Sequence, residues 1–292
     1  VCASTAGMSG MKESAVNKPK DIYIERGGVR LHALDHGGLD RPIFLMLHGA
    51  VAHARWWDPI APGLTGLGRP IAVDLRGHGE SEWAEDYSYE AFYKDLGAWI
   101  EWAKEESGEP PGVVAHSFGA GTTLKLHEAA NPRLRFIVLV DVPLELSERI
   151  IGPLRKVADR PSRPWPSREL FVEKFRVVPS GDNVSPELLA HVARHSVRPL
   201  EDGTWALKAD KSFHKNRPVT DLRPGWRKVE APALLVVGAE SDRLTEADLE
   251  WIRESRADVR IESVPGAYHH VHLDAPEIFL SLTQDFFSSI LY

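Results

Sequence analysis

The sequence predicts an α/β fold: a mostly parallel sheet with helices on both faces and a helical insertion after the sixth strand. Three observations predict it. Short apolar runs recur at residues 43–47, 69–73, 113–115, 135–142, 232–238 and 259–264. Their continuity implies burial on both faces, the mark of parallel strands. Amphipathic helical patterns alternate with them, which requires covering layers above and below the sheet. The length of 292 residues suits one large domain with an insertion.

The elements follow in order. Residues 21–25 and 29–35 read as a hairpin joined at Gly27-Gly28. The strand ending at Leu47 runs into His48-Gly49, then a loop and a helix around 57–64. The strand ending at Val73 leads to the glycine-punctuated loop 74–81. Ser88 caps a helix over about 89–106, with Phe92, Leu96, Trp99, Ile100 and Ala103 on one face. The strand through Val114 meets a helical pattern through Thr122, Leu124, Leu126 and His127. After the run 135–142 the alternation stops. Residues 144–228 hold many prolines and six notable aromatics (Trp165, Phe171, Phe175, Trp205, Phe213, Trp226). They read as a largely helical lid, with one or two of those aromatics facing the site. The core resumes with the strand 232–238, a helix from Thr245 to about Arg256, the strand 259–264 and a final helix 276–291. The domain division is therefore a core of 21–143 and 229–292, a lid of 144–228, and a flexible N-terminal segment of 1–20.

The stretch Val113-Val114-Ala115-His116-Ser117-Phe118-Gly119 carries the chemistry. A strand that turns sharply into a helix holds one serine, flanked two residues away by Ala115 and Gly119. Small neighbours permit a strained turn that exposes the hydroxyl beside free helix N–H groups. The plain alternative is a serine helix cap in an ordinary βα unit. A serine hydroxyl needs an adjacent base, and thirteen histidines are on offer. Sheet topology restricts the choice to loops at the C-terminal sheet edge, which selects the loop holding His269, His270 and His272.

In order, Leu47-His48-Gly49, Asp74-Leu75-Arg76-Gly77-His78-Gly79-Glu80-Ser81, Ala115–Gly119 and Gly266-Ala267-Tyr268-His269 with Pro276-Glu277 resemble the motifs of the α/β-hydrolase superfamily. The His-His-Val-His-Leu string is similar to its serine hydrolase and carboxylesterase-like branch. The resemblance runs from about Ile22 to the end. It implies an α/β-hydrolase fold and a nucleophile elbow at Ser117. By family spacing from Gly266 and Leu273 it implies His269 as base, with His270 as the alternative. Asp242, just past the seventh strand, is the expected acid, and Asp141, after the sixth, is the alternative. The oxyanion donors would be the backbone N–H groups of Phe118 and Ala50. His48 would shape its turn, and the 74–81 loop would buttress the site.

The implied activity is hydrolysis of carboxylic esters or related acyl compounds through an acyl-enzyme, of EC class 3.1.1. Carbon–carbon bond hydrolysis, cofactor-free haloperoxidase or lyase chemistry, and ligand reception remain alternatives on the same scaffold. The nucleophile is not an aspartate and no tyrosine lies between Leu144 and Lys228, which argues against haloalkane dehalogenase and epoxide hydrolase chemistry. No cofactor is expected. No metal is expected either, because no carboxylate or cysteine completes a zinc pattern with His269, His270 and His272.

Composition is consistent. Hydrophobic residues make up 43%, enough for a core, and the net charge of −7 disfavours nucleic acid. No apolar run reaches membrane-spanning length, and no signal-peptide core is seen. One cysteine, Cys2, precludes an internal disulfide. These features suggest a cytoplasmic enzyme whose partner is a small apolar or aromatic ester.

Overall fold

The computed structural model describes residues 18–160, 162–179 and 183–291. The expected flexible segment 1–20, with Cys2, lies outside the described residues except for its last three. An eight-stranded sheet forms the centre. Its strands are β1 (Lys20–Arg26), β2 (Val29–Asp35), β3 (Ile43–Leu47), β4 (Arg69–Val73), β5 (Gly112–His116), β6 (Ile137–Val140), β7 (Ala233–Gly238) and β8 (Arg260–Val264). The spatial order is β1-β2-β4-β3-β5-β6-β7-β8. The β1–β2 and β2–β4 pairs are antiparallel, and every other pair is parallel. Gly27 and Gly28, with φ of 59° and 77°, make the tight turn of the first hairpin.

The continuous apolar runs have a direct reading in the packing. Successive strand side chains point to opposite faces. Ile43, Leu45 and Leu47 enter one core with Phe92, Leu96 and Trp99. Phe44 and Met46 enter the other with Phe279, Phe286 and Phe287. Helices α1 (Tyr89–Ser107) and α2 (Phe118–Ala130) cover the first face, and α7 (Pro276–Leu291) covers the second. The Ser88 hydroxyl accepts from the Ala91 N–H and caps α1. Thr245 and Asp248 form a capping box at the start of α6 (Glu246–Ser255).

Between β6 and β7 the chain makes its long excursion. Among the described residues it contains the helices α3 (Glu148–Ala158), α4 (Arg168–Lys174) and α5 (Pro186–His195), and single helical turns at Lys211–His214 and Arg223–Trp226. Two short ladders accompany them, Glu145–Leu146 with Thr220–Asp221 and Val197–Pro199 with Trp205–Leu207. The expectation of a largely helical segment thus meets a mixed one. The first ladder holds its outgoing and returning ends side by side. Trp165, Phe171, Phe175 and Trp205 build a small core of their own, while Phe213 and Trp226 join the main core. Among the described residues, no helix is long and apolar enough to cross a membrane.

Candidate functional site

β5 ends at His116 and α2 begins at Phe118, so one residue, Ser117, makes the whole turn. Its φ of 49° and ψ of −108° place a non-glycine residue in a strained conformation. Gly119 makes the turn sterically feasible. A Cβ there would lie 2.7 Å from Leu47 Cβ and 2.8 Å from the His48 carbonyl oxygen. The start of α2 therefore lies directly against the end of β3. Gly119→Ala is expected to lose about 1–3 kcal/mol through overpacking, read as a lower urea midpoint at unchanged slope.

The Ser117 hydroxyl lies 2.9 Å from His269 Nε2. On the other side of the ring, His269 Nδ1 lies 2.7 Å from Asp141 Oδ2. The three side chains form one hydrogen-bonded line. His269 comes from the loop after β8, in the register expected. The Tyr268 N–H donates to Asp274 Oδ2 at 2.8 Å and anchors that loop. His116, which precedes the serine, holds the loop from beneath, its Nε2 lying 2.9 Å from the His269 carbonyl oxygen. Burial, reinforced by the neighbouring His272, His269 and His270, pushes the His116 pKa well below its ordinary value. It is thus a neutral donor.

The expected acid, Asp242, does not meet His269, and the alternative, Asp141, does. The structure places Asp242 away from His269, with its side chain 65% exposed and 3.3 Å from both Arg149 and Arg243. Asp141 is fully buried. The reason lies in strand order. β5 and β6 are neighbours, His116 pairs with Val140, and the Ser117 N–H donates to the Val140 carbonyl. Asp141 therefore starts beside Ser117, and its left-handed φ of 46° turns the chain there. The loop after β7 contributes in another way. The Ser241 hydroxyl donates to Asp141 Oδ2 at 2.6 Å, and the Gly238 N–H donates to Oδ1 at 3.2 Å.

The other histidines of the cluster sit apart from that line. His270 packs edge-on against Trp56, with centroids 5.3 Å apart. His272 stacks on Trp57 at 4.5 Å and is fully buried. Nitrogens of His116, His269 and His270 lie within 4.8 Å of one another, a spacing compatible with a metal ion. Both ring nitrogens of His269 are already engaged, however, so an ion there would compete with Ser117 or Asp141.

Phe118 is the first residue of α2, so its N–H has no intrahelical acceptor. Ala50 lines the cavity beside Ser117. The turn that carries it is held by His48, whose Nδ1 bonds the Gly49 carbonyl at 2.7 Å and whose Nε2 accepts from the Leu75 N–H at 3.1 Å. Burial, and after it the nearby His78, depresses the His48 pKa to about 3. His48 is thus a shaping residue that stays neutral. The 74–81 loop is a buttress too. Asp74 accepts from the Ala54 N–H at 2.6 Å and the Glu80 N–H at 2.9 Å, and bonds His32 Nδ1 at 2.6 Å. Burial opposes its charge, but His32 and the other donors outweigh that and hold the carboxyl below the usual range. Arg76 grips Asp95 with two bonds of 2.6 and 2.7 Å.

Ser117 opens into a cavity of about 270 Å³. Trp56, Leu146, Ile150, Pro153, Leu154 and Val178 give it an apolar wall, and Arg149, Arg217 and Arg243 add positive charge. None of the six aromatics of the 144–228 segment lines this cavity among the described residues. Its tryptophan is Trp56, which precedes that segment. Sequence reasoning missed Trp56, His116, Ser241 and Arg217. Only His116 had a local signal, its place beside the serine.

A family model described as the alpha/beta hydrolase family matches residues 44–282. The chain belongs to this family. It is 25% identical over 282 residues to 2-(acetamidomethylene)succinate hydrolase of Mesorhizobium japonicum, covering 94% of this chain and 99% of that protein. It is 27% identical over 288 residues to an esterase of Mycobacterium tuberculosis, covering 94% and 91% respectively. The crystal structure of E-2-(acetamidomethylene)succinate hydrolase superposes with a TM-score of 0.80 at 23% identity, covering 92% of this chain and 99% of that one. At that identity the superposition shows the fold alone, which is the eight-stranded α/β-hydrolase sheet. Membership and these relatives make the chain an α/β-hydrolase.

Proposed function

We propose that this α/β-hydrolase cleaves carboxylic esters or closely related acyl compounds through a covalent acyl-serine. The observation that carries the proposal is the bonded line from Asp141 through His269 to Ser117, with distances of 2.7 and 2.9 Å. His269 Nδ1–H donates to Asp141, which leaves Nε2 free to accept the Ser117 proton. The Ser117 oxygen attacks the carbonyl carbon, and the proton passes to Nε2. Asp141 stabilises the resulting imidazolium. The tetrahedral oxyanion takes hydrogen bonds from the Phe118 and Ala50 N–H groups. His269 returns the proton to the leaving group, which departs. Water, deprotonated by the same nitrogen, then releases the acid and restores Ser117. The 144–228 segment acts as a lid, since Ile150, Pro153 and Leu154 wall the cavity and limit water.

The names of the two relatives, a hydrolase and an esterase, are in keeping with this reading. A fluorophosphonate probe tests it. One adduct is expected, at Ser117, and its formation should require His269, so His269→Ala should label far more slowly. Turnover of a chromogenic ester beyond one equivalent is expected of an enzyme. A single stoichiometric burst without turnover would point to a receptor, and labelling at another serine would overturn the assignment.

A further inference from the structure

Arg217 is the unexplained charge of this cavity. The residue is 7% exposed, yet it forms no ion pair among the described residues. Its Nε is buried without a hydrogen-bond partner. One terminal nitrogen donates to the Tyr89 hydroxyl at 3.3 Å. The guanidinium lies 4.4 Å from the centroid of the Phe118 ring, with Tyr89 and Phe213 near 6 Å. These rings fix its position beside the residue that follows the nucleophile. They supply no counter-charge. A buried cation without a carboxylate is costly to maintain, and this one lines the same cavity as Ser117.

The cavity as a whole has the same bias. Among the described residues, Arg149, Arg217 and Arg243 line it against one carboxylate, Asp242. Asp242 is already shared between Arg149 and Arg243. A chain of net charge −7 thus presents a positive pocket around its serine. Such a pocket attracts anions from solution and holds them by charge-assisted bonds.

We infer that the substrate carries a carboxylate and that Arg217 binds it. The inference rests on the acyl-transfer reading of the same cavity. It refines the expectation of a purely apolar or aromatic ester: the apolar wall takes the body of the molecule and the guanidinium takes its charged end. Arg217 thereby selects among acyl compounds, while Ser117 and His269 act on whichever is bound.

Two experiments test this. In the first, the p-nitrophenyl half-ester of adipic acid is compared with an uncharged branched ester of equal size. A second pair carries the carboxylate on the leaving group. The wild type is expected to prefer at least one charged ester by roughly 10- to 100-fold in kcat/KM, chiefly through KM. Arg217→Met should bring that ratio to about one, and Arg217→Lys should restore part of it. No preference for either charged ester, or a ratio unchanged by Arg217→Met, would overturn the inference. The second experiment needs no turnover. Adipate is titrated calorimetrically into wild type and into folded Arg217→Met. Binding to the wild type alone is expected, and equal or absent binding in both would overturn it. If no ester is hydrolysed while adipate still binds through Arg217, the acyl-transfer reading fails and the carboxylate site stands.

Discussion

Asp141→Asn is expected to lower kcat about 10⁴-fold while leaving the protein folded, as removal of the acid does in other serine triads. The size follows from what the carboxylate does. Asp141 Oδ2 lies 2.7 Å from His269 Nδ1 and is buried from water. An amide in its place can donate to Nδ1, which would favour the tautomer whose Nε2 carries the proton and cannot accept from Ser117. It would also leave the imidazolium without a counter-charge. Asp242→Asn, at an exposed residue paired with Arg149 and Arg243, is expected to keep kcat within a few-fold. Steady-state kinetics of the two variants, with circular dichroism as a folding control, decide between them. An inactive Asp242→Asn beside a normal Asp141→Asn would return the acid to the loop after β7.

The second large effect concerns acid. Burial, as the leading cause, depresses the pKa of His48, His214 and His272 to about 3, and of His53, His78 and His127 to about 4. Each is neutral in the folded chain and takes up a proton near pH 6.5 when unfolded. Below that pH the unfolded state binds more protons, so stability falls as pH falls. Each group contributes up to about 1.4 kcal/mol per pH unit, so six together approach about 8 kcal/mol per unit. His32 acts in the opposite sense. Burial alone would lower its pKa, but Asp74 and Asp21 raise it, so its proton stabilises the fold in acid. One such group does not offset six. Against a typical stability of about 5–15 kcal/mol, cooperative unfolding is expected with a midpoint between about pH 4.5 and 5.5. Tryptophan fluorescence followed from pH 8 to 3.5 checks this. A native signal persisting at pH 4 would show that these imidazoles are not held neutral.

The sequence alone determined most of the scaffold and two of the three proposed reactive side chains, because those signals are local. Runs such as Ile43–Leu47 are apolar at every position because both faces of a parallel strand are buried. Ser117 is legible because a strained turn needs small residues two positions away, and Gly119 meets that need. Topology narrows the base to the loop of His269, His270 and His272, and the family resemblance, through its spacing from Gly266 and Leu273, implies His269. Ser88 and Thr245 mark their helices because capping involves only the next three residues.

The acid was not legible. Asp141 and Asp242 both follow strands that end at the same sheet edge, and nothing local separates them. Tertiary structure alone places Asp141 and not Asp242 against His269, through the β5–β6 adjacency, the left-handed turn at Asp141, and a loop after β7 that offers the Ser241 hydroxyl and leaves Asp242 in solvent. The same holds for the cavity. Its aromatic wall comes from Trp56 and not from the excursion's own aromatics, which satisfy one another or the main core. Arg217 lies one hundred residues from Ser117 in the chain, and its buried, unpaired charge exists only once the excursion has folded back. Short-range patterning sets strands, turns and caps. Which distant side chains meet depends on strand order and on the path of the connecting loops, and those contacts are made only in the folded chain.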